Sequence, residues 1–169
     1  LDLLKQGRRH QAPESLVEIV RVRALAHPER RAYTFLDGGE EEESWSYGAL
    51  DLHARAVAAR LQTVGLEGER VLLLFPPGLQ YAAAFLGCLY SGAVAVPAYP
   101  PMGSRGVPRL QAILADCAPR AVLTTAPLLP SLERLRGGGD LLCMAVDGIG
   151  AAEGEGWRDP GLTADRLAF

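Results

Sequence analysis

Between Arg70 and Arg105 the sequence has no charge of either sign. Val71 through Ser104, 34 positions, are apolar, small, Pro, Gly, Ser or Gln. A stretch without charge in a water-soluble chain has to be buried, or else it spans a membrane. The second reading fails on length. Pro76, Pro77 and Gly78 divide the stretch, Gly92 and Pro97 interrupt it again, and no unbroken block reaches the roughly 18 to 20 apolar residues of a spanning helix.

Cysteine is scarce as well. Cys88, Cys117 and Cys143 are odd in number, far apart and never in a C-x-x-C pair, so neither a disulfide framework nor a zinc site is indicated. Their apolar surroundings suggest buried free thiols in a reducing cytosol. The chain also lacks a basic face: its formal net charge is −3 and Arg8-Arg9 is too short to make a patch, which argues against nucleic acid as a partner. Leu1-Asp2-Leu3-Leu4 runs into a polar stretch with no apolar core, so no signal peptide is expected and the cytoplasm is the expected location.

What remains is enough for one domain: 169 residues at 49% hydrophobic composition. The chain starts on Leu, and an apolar run begins at Arg166-Leu167-Ala168-Phe169 where domains normally turn polar. A piece of a longer protein is therefore expected, with residues 1–14 a leader or linker and 15–169 the folded part.

The uncharged stretch has its own punctuation. VLLLF (71–75) stops at Pro76-Pro77-Gly78, a block rich in Ala, Gly and Cys follows over 79–93, and VAV (94–96) leads into Pro97-Ala98-Tyr99-Pro100-Pro101. Strand, breaker, buried helix, strand is a βαβ unit covered on both faces. Ala83 and Gly87, with Ala84 beside them, share one helix face and are expected to pack closely on the sheet.

Elsewhere, Ser15 can cap a helix over 16–26 with Leu16, Ile19, Val20, Val22 and Ala24 at helical spacing, ended by His27-Pro28. Residues 32–36 and 40–45 read as a hairpin around Asp37-Gly38-Gly39. Ser46 caps the clearest amphipathic helix, with Leu50, Ala54, Val57, Leu61 and Val64 in one stripe and Gly65 as its stop. A polar loop over 103–109, a helix from about Pro108 to Cys117, a strand at 121–125, a helix near 127–136, a turn at Gly137-Gly138-Gly139 and a strand at 141–146 complete the pattern. Residues 147–165 read as a Gly-rich, acidic loop. Strands near 71, 94, 121 and 141 with helices between them predict an α/β fold: a parallel, doubly wound sheet with flanking helices and an N-terminal hairpin.

Catalytic signals are few. Glu40 to Glu43 alternate up and down a strand and do not converge on a metal ion. His10, His27 and His53 have no Cys, Ser or Asp partner at catalytic spacing and read as structural or exposed. Gly103-Ser104-Arg105-Gly106 lacks the pattern and lysine of a phosphate loop, and Gly137–Gly139 precedes a strand rather than a helix. Position alone distinguishes Pro76-Pro77-Gly78 and Pro97 to Pro101, because open parallel sheets bind ligands beyond the carboxyl ends of their strands. Tyr99, Pro100 and Pro101 form either a stiff wall beside a substrate cleft or a connection whose prolines end a strand.

The segments SLVEIVRVRALAHPERRAYTFL (15–36), WSYGALDLHARAVAARL (45–61), ERVLLLFPPGLQYAAAFLGCLYSGAVAVPAYPP (69–101) and RLQAILADCAPRAVLTT (109–125) resemble, in order, the N-terminal region of the adenylate-forming ligases. The fatty acyl-AMP ligases match best, since they carry Y-P-P where acyl-CoA ligases more often continue with P-L-N. The resemblance implies the first subdomain of such a ligase's N-terminal domain. It further implies activation of a fatty acid with ATP to an acyl-adenylate, Mg²⁺ and cationic groups stabilising charge on the phosphates, and transfer of the acyl group to the phosphopantetheine thiol of an acyl carrier protein that commonly serves a polyketide or nonribosomal peptide synthase.

The family's Ser/Thr/Gly-rich phosphate loop, which in relatives begins just after a stretch like Leu167-Ala168-Phe169, is absent. So are its adenine and ribose contacts and its C-terminal lysine. No catalytic, cofactor-binding or metal residue is therefore assigned in this chain, and the remainder of the ligase domain is an expected partner. The chain alone is expected to form no adenylate. The alternatives are an acyl- or aryl-CoA ligase, an amino-acid adenylation domain, or a non-catalytic interaction module on the same fold.

Overall fold

The computed structural model describes residues 13, 15–101, 103–135, 140–163 and 166–169. The expected leader lies, except for Pro13, outside the described residues, as does the turn expected at Gly137–Gly139.

Among the described residues, six strands and five α-helices follow one another as the sequence pattern predicts, with small shifts of boundary. Helix α1 (Leu16–Ala26) is capped by Ser15, whose Oγ accepts the Glu18 N–H at 3.1 Å. Only Val20 and Ala24 of its stripe are buried; Leu16 and Val22 are 45% and 56% exposed, because α1 meets the body along a narrower face than the sequence suggests. Strands β1 (Arg31–Asp37) and β2 (Glu40–Ser46) form an antiparallel hairpin. Its turn is Gly38-Gly39, both at positive φ (59° and 94°), the conformation that a two-residue hairpin turn matching the strand twist needs. Ser46 then caps α2 (Tyr47–Thr63) by accepting the Ala49 N–H at 3.2 Å. Its stripe is buried except for Val64, which sits past the last turn and is 42% exposed.

The main sheet has four parallel strands in the order β4-β3-β5-β6, formed by β3 (Arg70–Leu74), β4 (Val94–Ala98), β5 (Ala121–Thr124) and β6 (Leu142–Ala145). The absence of charge in β3 is explained by its central place. Val71, Leu73 and Phe75 enter one cluster with Val57, Leu61, Ala84 and Cys88, while Leu72 and Leu74 enter another with Leu110 and Leu132. Period-two alternation thus sends neighbouring residues to opposite faces, and both faces are dry. The first face is covered by α2 and α3 (Leu79–Ser91), the second by α4 (Gly103–Cys117) and α5 (Leu129–Leu135). This is the doubly wound α/β sheet with an N-terminal hairpin that the sequence predicts. A third cluster, with Val20, Leu50, Ala54, Leu86 and Tyr90, joins α1, α2 and α3. Among the described residues no helix is long and apolar enough to cross a membrane.

Four expectations are corrected. Strand β4 continues two residues beyond 96, so Pro97 lies inside it opposite Leu73; an edge strand tolerates a proline that a central one would not. Helix α4 begins at Gly103 rather than near Pro108, and Pro108 leaves one helical hydrogen bond unmade instead of starting the helix. The face with Gly87 packs on α2, not on the sheet: a Cβ at Gly87 would fall 2.6 Å from Val57 Cβ, whereas Ala84 and Cys88 face the strands. Residues 147–165 are not loop throughout. A 3-10 helix at Ala151–Gly156 docks on α2, where a Cβ at Gly154 would lie 3.0 Å from the Leu52 carbonyl oxygen.

Candidate functional site

A parallel sheet gathers the ends of its strands on one edge, and the connections there are the natural ligand platform. Here the connection from β3 runs outward through α3 to β4, and the next returns across the sheet through α4 to β5. The chain's direction of winding therefore reverses between β3 and β5. At that reversal the polar side chains are already engaged. Thr124, fully buried, donates its hydroxyl to the Leu74 carbonyl at 2.7 Å. Asp147, just past β6, accepts the Ala126 N–H with both carboxylate oxygens, at 2.9 and 3.1 Å. Both groups stitch the strand ends together.

Beside them, the β3–β4 side of the edge is aromatic. Pro76-Pro77-Gly78 leads into α3, with Gly78 at φ 153°, a backbone shape that strains any L side chain. In the first turn of α3, Tyr81 meets Phe75 edge-on at 6.3 Å and stacks with Phe85 at 6.1 Å, and Phe85 in turn meets Phe169 at 5.7 Å. Burial raises the Tyr81 phenol above its ordinary pKa, and the neighbouring Tyr99 raises it further. Tyr99 itself is 81% exposed. Behind it, Pro100 and Pro101 are half-buried, and Pro101 lies against Gly106 of α4, where a Cβ would come within 2.8 Å of Pro101 Cα. The segment is thus pinned at its prolines while the Tyr99 ring is exposed beside Tyr81. On the outer side of β4, the Ala95 N–H donates to the Ala168 carbonyl at 2.9 Å.

The row of Tyr81, Phe85 and Phe169 was not foreseen. The i, i+4 spacing of Tyr81 and Phe85 was the available signal for the first two. A second unforeseen cluster lies between β2 and α2, where His53 stacks on Trp45 and Glu43 accepts the Trp45 indole N–H. Glu40, Glu41 and Glu42 are exposed as expected, but Glu43 is half-buried. His27 is exposed, and His10 lies outside the described residues. Cys88 is buried, which pushes its thiol pKa up, and Cys117 is shifted the same way by partial burial. These thiols are poor nucleophiles at neutral pH.

No three His, Cys, Asp or Glu side chains among the described residues could hold a metal ion. The chain's single lysine, Lys5, lies outside the described residues. The side chains described along the β3–β4 side of the edge are mainly aromatic and apolar: Phe75, Tyr81, Phe85, Tyr99 and the prolines beside them.

A family model described as AMP-binding enzyme matches residues 20–161. The medium-chain-fatty-acid–[acyl-carrier-protein] ligase JamA of Moorena producens is 37% identical over 92% of this chain, which spans 28% of that protein. The long-chain-fatty-acid–AMP ligase FadD32 of Mycolicibacterium smegmatis is 41% identical over 66% of the chain and 18% of its own length. Among solved structures, a fatty acid AMP ligase from Legionella pneumophila superposes with a TM-score of 0.85 at 38% identity, covering 93% of this chain and 27% of that one. VinN, also solved with L-aspartate, superposes at 0.72 and 27% identity, over 90% of this chain and 38% of VinN. The chain spans less than a third of the curated relatives it matches. The family model covers most of the chain and the relatives agree with it: the chain belongs to the AMP-binding enzyme family, with the fatty-acid–AMP ligases among its relatives.

Proposed function

We propose that residues 15–169 are the first subdomain of a cytoplasmic fatty acyl-AMP ligase. The enzyme activates a fatty acid with ATP, its carboxylate attacking the α-phosphate as pyrophosphate leaves, and then passes the acyl group to the phosphopantetheine thiol of an acyl carrier protein. The observation that carries this reading is the match to the Legionella pneumophila fatty acid AMP ligase, at 38% identity over 93% of the chain. A related L. pneumophila structure holds acyl adenylate and pyrophosphate, and JamA is named for a fatty acid and an acyl carrier protein. ATP and Mg²⁺ are assigned to the remainder of the ligase domain, and Tyr99, Pro100 and Pro101 supply one wall of the cleft.

An amino-acid substrate is the second reading, favoured by the VinN structures with L-aspartate and 3-methylaspartate. ATP–pyrophosphate exchange by the enzyme carrying this subdomain separates them. Exchange that depends on medium- or long-chain fatty acids, followed by acyl transfer to carrier protein rather than coenzyme A, is the expected result. Exchange with aspartate alone, or transfer to coenzyme A alone, overturns the first reading.

A further inference from the structure

Behind the carboxyl edge, a cavity of about 170 Å³ opens between the hairpin, α2, α3 and the turn after β6. Strand β2 lines it with Glu43 and Trp45, α2 with His53 and Val57, α3 with Gln80, and the turn with Asp147. The His53 ring lies flat on the Trp45 indole, with centroids 4.4 Å apart and planes 14° from parallel. The indole N–H donates to Glu43 Oε1 at 2.8 Å. Among the described residues no Lys or Arg lines the cavity. Of the charged groups on α2 near His53, Asp51 and Arg55 are paired with each other at 2.9 Å, and Asp51 also accepts the Tyr90 hydroxyl. The carboxylates lining the cavity with His53 are thus Glu43 from β2 and Asp147 from the turn after β6, while α3 presents the neutral amide of Gln80.

We propose that Glu43, Trp45 and His53 form a proton-responsive latch that seats the hairpin on α2. With His53 neutral, the two rings lie in contact and Glu43 is held by the indole N–H. When His53 takes up a proton, Glu43 becomes the counter-ion of the imidazolium and its hold on the indole changes, so the seating of β2 follows pH. Gln80 stands in the first turn of α3 and Asp147 at the carboxyl end of β6, so the same cavity joins the latch to the loops of the carboxyl edge. Two opposed influences act on the imidazole. Burial lowers its pKa below the ordinary 6.5, and Glu43 raises it.

Nuclear magnetic resonance on the chain tests this directly, because its two tryptophans give two indole N–H signals. Across about pH 5 to 8, the Trp45 indole signal is expected to shift along the titration curve of the His53 Cε1–H. The Trp157 signal, whose N–H donates to the Tyr90 carbonyl at 3.0 Å, is expected to stay still. In Glu43→Gln the His53 midpoint moves down and the Trp45 shift shrinks. A Trp45 signal that stays still through the His53 titration overturns the latch, as does a midpoint unmoved by Glu43→Gln. Should that variant fail to fold, His53→Gln serves instead: loss of the Trp45 pH dependence supports the latch, and its persistence overturns it.

Discussion

Gly87 shows how much one missing methyl group decides. In mid-helix an alanine would ordinarily be better than glycine by roughly 0.5–1 kcal/mol. A Cβ here, however, would meet both Val57 Cβ and Cγ1 at 2.6 Å, and Val57 is β-branched and buried, so it has no free rotamer to yield with. Packing outweighs propensity. Gly87→Ala is expected to lower stability by about 1–3 kcal/mol, and Gly87→Leu by more, read as a fall in melting temperature. A stabilised Gly87→Ala would show that α2 and α3 stand further apart. The small-residue face was legible in the sequence, but its partner was not, since spacing along a helix names a face without naming what lies across from it. The same holds for His53. No local motif marks it, because Trp45 and Glu43 reach it from a different element. Its pH linkage follows from burial. With the folded pKa lowered, its contribution to stability is whole above about pH 6.5 and is lost as pH falls below it.

At the scale of elements, the sheet was readable because burial on both faces writes itself as uninterrupted apolar runs. Each of β3, β4, β5 and β6 lies within a residue or two of its expected place. The segment after β6 was unreadable for the opposite reason: its order comes from distant partners. Gln62 and Arg158 exchange two hydrogen bonds (2.6 and 3.1 Å), Arg60 pairs with Glu153 at 3.0 Å, and Arg21 pairs with Asp159 at 2.6 Å. Trp157 closes this strap. Its N–H bonds the Tyr90 carbonyl, its ring meets Tyr90 at 5.5 Å, and the Arg21 guanidinium lies 4.8 Å from the ring centroid. The exposed ion pairs contribute little, about 0–1 kcal/mol each. The aromatic anchor dominates. Trp157→Ala is expected to cost about 2–3 kcal/mol, less than the roughly 3–5 of a fully buried tryptophan, and to release amide-exchange protection over 151–161 before the sheet. Protection there that persists until global unfolding would mean that the ion pairs hold the strap.

For the whole molecule, architecture rather than motif located the candidate site. The sequence placed Tyr99, Pro100 and Pro101 beyond the carboxyl end of β4, and they lie there. It could not reveal that Gly106 of α4 pins Pro101 or that Tyr81 comes near the Tyr99 ring, because both contacts depend on how α3 and α4 cross the sheet. Their role as a cleft wall is the proposal on which the functional reading of this chain turns. Tyr99 is so exposed that its truncation removes little buried surface, and Pro100 is only half-buried, so a purely structural role and a cleft role separate cleanly. The deciding measurement is made on the Tyr99→Ala/Pro100→Ala double variant of the enzyme carrying this subdomain, with adenylate formation, acyl transfer to carrier protein and melting temperature read on one preparation. The account predicts that one of the two half-reactions falls by about tenfold or more while the melting temperature changes little, because a displaced wall misorients the substrate without emptying the core. Wild-type rates in both half-reactions, with or without a loss of stability, would contradict it.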